Sequence, residues 1–435
     1  MNNRPTPAGP AAHGTRRVLF VTYGGGHAHM IYPVVHALRA TEAFAQGRIA
    51  IDVLGLPAAT YTLNTNGIDC LRFSDFLDPA LDADAIAWGE ELARQHHSPT
   101  VGVSREDSVA YLGLNYKDLV LQHGQAKAAE LFAQRGRQCF LPLNAMARVF
   151  DRLQPDFVVT SNSPRAEAAA LAVANDRGIP SLAMTDLFTG LGGYVLKAGS
   201  ITFLNALAQE MFLADGLVDP SISEFHLTGN PAFDRILDLP QDKSPGWIEW
   251  LFPGVGGRKA VLHADMPAWW DAVNKRSHFK TEADTTAELE ACYTATMANG
   301  AAYLVRPHPS QDRAFYTRWL AGRPHAFLAA DVPLHPLLAN VDLLLARSTT
   351  VGLEAALMRK RILQLEAHLH PDLPLAAMGV AWGSRGYAQL PAEIGQALGD
   401  DAAFAAILAQ IPRKLPTQPA ALKIADIVLR KLHLA

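Results

Sequence analysis

Cysteine is scarce in this 435-residue chain: Cys70, Cys139 and Cys292 stand far apart, too few for a disulfide framework and too scattered for a metal cluster. Charge of one sign is also lacking. A net charge of −4 with 18% charged residues gives no electrostatic case for a nucleic-acid partner. No apolar run approaches the roughly 20 residues that a membrane span needs. Residues 1–16 are polar, rich in Pro and Ala, and have no apolar segment of the signal-peptide kind, so they read as a disordered leader. The dinucleotide fingerprint G-x-G-x-x-G is missing too, because its last glycine would fall on His29. These absences leave a cytoplasmic protein, with peripheral membrane contact open. What is present, 49% hydrophobic residues over 435 positions, suffices for two domains with their own cores.

Short apolar runs alternate with helical periods along the chain. Strands are expected at residues 17–23, 49–55, 71–73, 156–160, 179–186, 200–204 and 225–227, with residues 78–150 mostly helical. A second series follows at 259–263, 302–306, 326–329, 342–346 and 361–365, closed by an amphipathic helix at 423–432. The alternation implies parallel sheets covered by helices on both faces, an α/β fold. The segment 239–258, with Pro240, Pro245, Pro253 and its glycines, reads as a linker. The domains are therefore expected at 17–238 and 259–435. Asp82 and Asp84 read as a solvated helix start rather than a metal-binding pair.

In the first domain, Gly24, Gly25 and Gly26 follow the first strand directly, where glycine lets a ligand approach the backbone closely. His27 then stands at the carboxyl end of that strand, where open α/β sheets bind ligands, and imidazole there can serve as a general base. The alternative is a turn-capping role, which weighs more for His29 than for His27. Asn162 and Arg165 lie in the polar turn after another strand, and Asp186 ends the next, as a second candidate acid or base or an ordinary turn aspartate. Asn230, in Gly229-Asn230-Pro231, sits in a turn that closes this half.

In the second domain, Ser348, Thr349 and Thr350 lead from a buried strand into a helix. Free N–H groups and the dipole at a helix start favour an anion, and the three hydroxyls can grip a diphosphate. Glu354, one turn further, can accept hydrogen bonds from two ribose hydroxyls. The bland alternative is a capped helix with Glu354 complementing its dipole; a reciprocal capping box fits poorly, since Thr350 and Glu354 are four apart. Arg306-Pro307-His308-Pro309-Ser310 ends another strand. Its prolines fix the backbone, so Arg306, His308 and Ser310 can join a phosphate clamp.

Gly24–His27 resembles the glycine-rich first turn of GT-B glycosyltransferases such as the peptidoglycan lipid-intermediate N-acetylglucosaminyltransferase, with His27 on the histidine of its G-G-x-G-G-H turn and a shorter loop here. His226–Pro231 is similar to the T-G-N-P stretch in those enzymes and in UDP-N-acetylglucosamine 2-epimerases. Arg306–Pro309 and the Ser/Thr cluster resemble donor-phosphate motifs of bacterial capsule transferases. The resemblance implies a GT-B fold: two Rossmann-like parallel-sheet domains facing across a cleft, acceptor on the first and nucleotide sugar, of UDP or CMP type, on the second.

Two departures narrow what the resemblance implies. Retaining enzymes often carry two glutamates with seven residues between them, and Ala346 stands where the first would precede Glu354. In the 2-epimerases an aspartate follows the strand here aligned at residues 156–160, and Asn162 takes its place; a neutral amide cannot do that acid–base work. The expectation is an inverting, metal-independent glycosyltransferase of bacterial surface-glycan synthesis with a glycan or lipid-linked acceptor. A 2-epimerase and a non-catalytic nucleotide-sugar-binding protein are the alternatives.

Overall fold

The computed structural model describes residues 14–97, 103–188, 194–271, 276–369 and 372–434, without side chains for 269–277. Most of the expected leader lies outside them, and Arg16 already begins the first strand. The chain divides into two compact units, residues 1–234 with 418–435, and residues 235–417.

The first unit is built on strands β1 (Arg16–Gly24), β2 (Ile49–Leu56), β3 (Phe157–Ser161), β4 (Ser181–Met184), β5 (Ser200–Phe203) and β6 (Glu224–Leu227). All neighbours pair in parallel, in the order β2-β1-β3-β4-β5-β6. Because side chains alternate along a strand, Leu19 and Val21 enter one core while Val18 and Phe20 enter the other. That double burial explains why the strands read as unbroken apolar runs. The expected strand at 71–73 is reduced to a single bridge between Leu71 and Leu54, followed by a 3₁₀ turn, Phe73–Phe76. Helices Ala83–His96 and Arg105–His123 cross closely because Gly89 and Gly113 have no side chains: a Cβ at Gly113 would lie 2.0 Å from the Ala85 carbonyl oxygen.

Asp82 corrects the sequence reading. It is fully buried, bonded to Arg148 through both carboxylate oxygens and to the Lys117 Nζ at 3.2 Å. Its cationic partners come from 35 and 66 residues away, so no local pattern exposes them.

The second unit carries β7 (Ala260–Ala264), an antiparallel pair β8 (Ala268–Asp271) and β9 (Arg276–Phe279), β10 (Ala302–Arg306), β11 (Ala326–Leu328), β12 (Leu343–Ala346), β13 (Ile362–Gln364) and β14 (Trp382–Gly383). Its main sheet is parallel, in the order β11-β10-β7-β12-β13-β14. β8, β9 and the two-residue β14 are too short or too irregular to announce themselves as strands.

Two boundaries differ from expectation. The segment 239–258 belongs inside the second unit: it forms a helix, Trp247–Leu251, and buries Ile248, Phe252 and Val255. Proline and glycine there make turns in a packed segment rather than a free linker. The final helix, Ala420–Lys431, belongs to the first unit instead of the second. Ile424, Ile427 and Val428 join the core of Val18 and Phe20, and Asp234 accepts the N–H groups of Ala420 and Ala421 at 2.7 and 2.8 Å, capping the helix start. No described helix is long and apolar enough to cross a membrane.

Candidate active site

In each main sheet the strand order reverses once, and that reversal leaves a crevice at the carboxyl ends of two strands. In the first unit β2 lies on one side of β1 and the chain then returns to the other side as β3. In the second, β10 and β11 lie to one side of β7, and β12 to the other. The turns after β1, β3 and β12 fall at these places, and those after β4, β6 and β10 lie at the carboxyl ends of other strands of the same parallel sheets.

Gly24 closes β1. A Cβ there would sit 2.5 Å from two atoms of Ala58, so the turn needs glycine to pass the start of the helix that follows β2, Pro57–Thr65. Gly25, with φ +57°, precedes the helix Gly26–Arg39, on which His27 stands in the first turn. Two acids lie near enough to this imidazole for its charge to act on them. Glu167, in the first turn of the helix after β3, is fully buried; its Oε1 accepts the Tyr23 N–H at 2.6 Å and the Ser161 hydroxyl at 3.3 Å. Burial pushes its carboxyl up, and the charge of His27 pulls it back. Asp186, just past β4, is also raised by burial and opposed by His27, then by a hydrogen bond from the Asn230 amide at 3.3 Å. The same Asn230 amide donates to the Asp186 carbonyl oxygen at 2.6 Å.

Sequence-selected His27, Asp186 and Asn230 therefore converge, and Glu167 joins them unforeseen. Its signal in sequence was only an acidic residue early in an alanine-rich helix, which also suits the dipole. Asn162 is 2% exposed, and neither atom of its carboxamide has a protein partner; His27 Nδ1 is likewise buried and unmatched. Such groups are rare in the absence of a ligand or water. Arg165 lies over the Tyr23 ring at 4.0 Å.

In the second unit the expected phosphate clamp is partly engaged with the protein itself. Arg306 Nη1 donates to the carbonyls of Ala329 and Val332, at 2.9 and 2.5 Å, which fixes the loop after β11. His308 is exposed, with Nδ1 and the Ser310 Oγ 2.8 Å apart, and its N–H donates to Gln311 Oε1. Ser348 Oγ donates to Asp372. Thr349 is the N-cap of the helix Thr350–Leu357, accepting from the Val351 N–H, and Thr350 is exposed at its first position. Glu354 meets His335 Nε2 at 2.6 Å. It also lies close enough to Arg306 to act on its charge.

Below these turns is a buried polar centre that sequence reasoning missed. His263, in β7, places Nδ1 2.7 Å from the Tyr303 hydroxyl and Nε2 3.1 Å from Glu288 Oε1. Lys280 Nζ lies 2.7 Å from Asp265 Oδ1 and 2.8 Å from Glu288 Oε2. Arg347, after β12, reaches Glu288 Oε2 at 2.6 Å, and also Tyr387 and Glu366. Burial alone would raise the Glu288 carboxyl; the His263 bond, then Lys280 and Arg347, hold it well below the usual range. Among the described residues, His263, Asp265 and Glu288 are the one group able to hold a metal ion, their ligand atoms all within 4.8 Å of one another.

No protein-family model and no curated protein sequence matches the chain. Solved structures do. A putative UDP-N-acetylglucosamine 2-epimerase from Listeria monocytogenes superposes with a TM-score of 0.60 at 15% identity, covering 97% of this chain and 98% of that one. The UDP-GlcNAc 2-epimerase of Neisseria meningitidis, solved with UDP-GlcNAc bound, gives 0.56 at 13%, covering 96% and 100%. CalG4, the calicheamicin glycosyltransferase, gives 0.54 at 15%, covering 96% and 98%. With its two parallel six-stranded sheets, the chain has the α/β fold shared by UDP-GlcNAc 2-epimerases and GT-B glycosyltransferases.

Proposed function

We propose that the protein is an inverting glycosyltransferase that moves a sugar from a nucleotide-sugar donor to a glycan or lipid-linked acceptor, in the cytoplasm or at the inner face of the membrane. The observation that carries this reading is His27, whose charge acts on the fully buried Glu167 and the half-buried Asp186, beside a glycine turn and an unmatched Asn162 carboxamide. His27 removes the acceptor hydroxyl's proton as its oxygen attacks the anomeric carbon. Asp186 stabilises the imidazolium so formed, as a carboxylate beside a histidine does. The bond from the anomeric carbon to the donor phosphate breaks on the opposite side, inverting the centre. The nucleotide leaves from the second unit, its phosphates against the Ser348–Thr350 turn with His308 and Arg306 near, and its ribose on Glu354. CMP and UDP donors both remain in the class.

A second reading, a nucleotide-sugar 2-epimerase, is favoured by Glu167. Two carboxyls raised toward their protonated forms beside a histidine supply both a proton acceptor and a proton donor. One experiment separates the two. The enzyme is incubated in D2O with UDP-N-acetylglucosamine and no acceptor, and the sugar is followed by NMR. A transferase leaves C2 undeuterated and either spares or slowly hydrolyses the donor; deuterium at C2 with the 2-epimer present makes the epimerase the better reading. A melting screen with UDP, CMP and GDP tests the donor site itself, since a ligand at 100 times its Kd adds about 2.7 kcal/mol to the native state. No shift with any of them overturns the nucleotide assignment.

Glu354 has its own test. Glu354→Gln keeps the shape while removing the charge shared with His335 and with the proposed ribose hydroxyls, so nucleotide affinity is expected to weaken by about 1–3 kcal/mol. Calorimetry with the bound nucleotide measures it. Unchanged affinity in a folded variant assigns Glu354 to His335 alone.

A further inference from the structure

We infer that Lys280 is a tethered cation occupying the place of a divalent metal ion at the carboxyl end of β7. The inference goes beyond the glycosyltransferase reading and stands without it. The ligand set is there: one imidazole nitrogen and two carboxylate oxygens, from His263, Asp265 and Glu288, mutually within 4.8 Å. All three residues are buried, unlike the exposed acidic groups that surfaces carry by the dozen. The ammonium of Lys280 takes both carboxylates at 2.7 and 2.8 Å, contacts that a bound cation would otherwise make. The lysine is held firmly in place: its N–H donates to the Pro267 carbonyl at 2.8 Å, and Thr281, next in the chain, caps the helix Glu282–Ala298.

The surroundings favour an ammonium over a mobile ion. Asp265 is fixed further by the Tyr316 hydroxyl at 2.5 Å and by Gln311 at 3.2 Å, while Glu288 is shared with Arg347 and Tyr387. Lys280 and Arg347 thus balance Asp265 and Glu288 without help from solvent, which a buried carboxylate pair requires. The same centre joins both expected phosphate turns. Gln311 bonds Asp265 on one side and the His308 N–H on the other, and Arg347 immediately precedes Ser348. A built-in cation therefore holds the two turns in register whether or not any metal is available.

The test exchanges the cation. Purified, chelator-treated protein is titrated with Zn2+ and with Mn2+ by calorimetry as wild type, as Lys280→Ala, and as Lys280→Ala with Glu288→Gln. Lys280→Ala is expected to take up one equivalent more than wild type, and the double variant to lose that equivalent. The inference is overturned if Lys280→Ala gains none, or if wild type already binds the ion through His263, so that His263→Gln removes it. A measurement on the unaltered protein guards against a variant that fails to fold. The melting temperature of wild type should be the same with and without chelator, and a fall on chelation that one equivalent of metal reverses overturns the inference as well.

Discussion

Replacing His27 with alanine is expected to lower the turnover rate by roughly 10²–10⁴-fold while nucleotide affinity stays nearly constant. The size follows from losing the proton acceptor; the constancy follows from where the residue stands. His27 belongs to the first unit, whereas the proposed phosphate and ribose contacts all belong to the second. Asp186→Asn removes the charge that faces His27 but leaves the imidazole, so its loss should be smaller. It should also change the pH dependence. Burial raises the Asp186 carboxyl, so its ionised form is gained only above the usual carboxylate range, and the part of the acid limb owed to Asp186 should be present in the wild-type rate profile and missing from the variant's. Single-turnover rates with saturating donor, across pH, measure both effects. If Asp186→Asn abolishes turnover while His27→Ala keeps most of it, the roles are reversed. If neither slows transfer, the proton acceptor lies elsewhere.

Glu288→Ala should destabilise the second unit by about 3–5 kcal/mol, because deleting one member of a buried ionic network leaves its partners charged and unmatched. Here those partners are Lys280 and Arg347, with His263 losing its Nε2 contact. Every tryptophan except Trp88 lies in the second unit, so urea unfolding followed by tryptophan fluorescence reports on the affected half. The sign with pH is fixed by the depressed Glu288 carboxyl. Its stabilising contribution is complete above the unfolded value, about 4.3, and is lost as pH falls through the lower folded one. Wild type should therefore lose stability in acid more steeply than Glu288→Gln does. A loss under about 1 kcal/mol for Glu288→Ala would mean that the network is no more than a surface-grade ion pair.

Local chemistry was readable in the chain itself. The β1 and β3 strands are buried on both faces, so their apolar runs were continuous, and the turns at their carboxyl ends carried the glycines and polar residues of the crevice. His27, Asp186 and Asn230 were found because each sits within three residues of a strand end or a proline turn, where sequence pattern and position coincide. The Ser348–Thr350 turn was likewise placed at a helix start. Tertiary structure alone decided which groups share their charge. Asp82 read as a solvated helix start and Glu167 drew no reading of its own, and only packing revealed that the first holds Arg148 and Lys117 and the second lies within reach of the charge on His27. The final helix joined the first unit because its apolar face completes the core under β1, a fact written more than 400 positions away, Ile424 against Val18 and Phe20. His263, Lys280, Glu288 and Arg347 come from a strand, a loop, a helix and a turn spread over more than 80 positions. No period or spacing links them, since a buried ion network is specified by distances in space, and the chain records only order along itself.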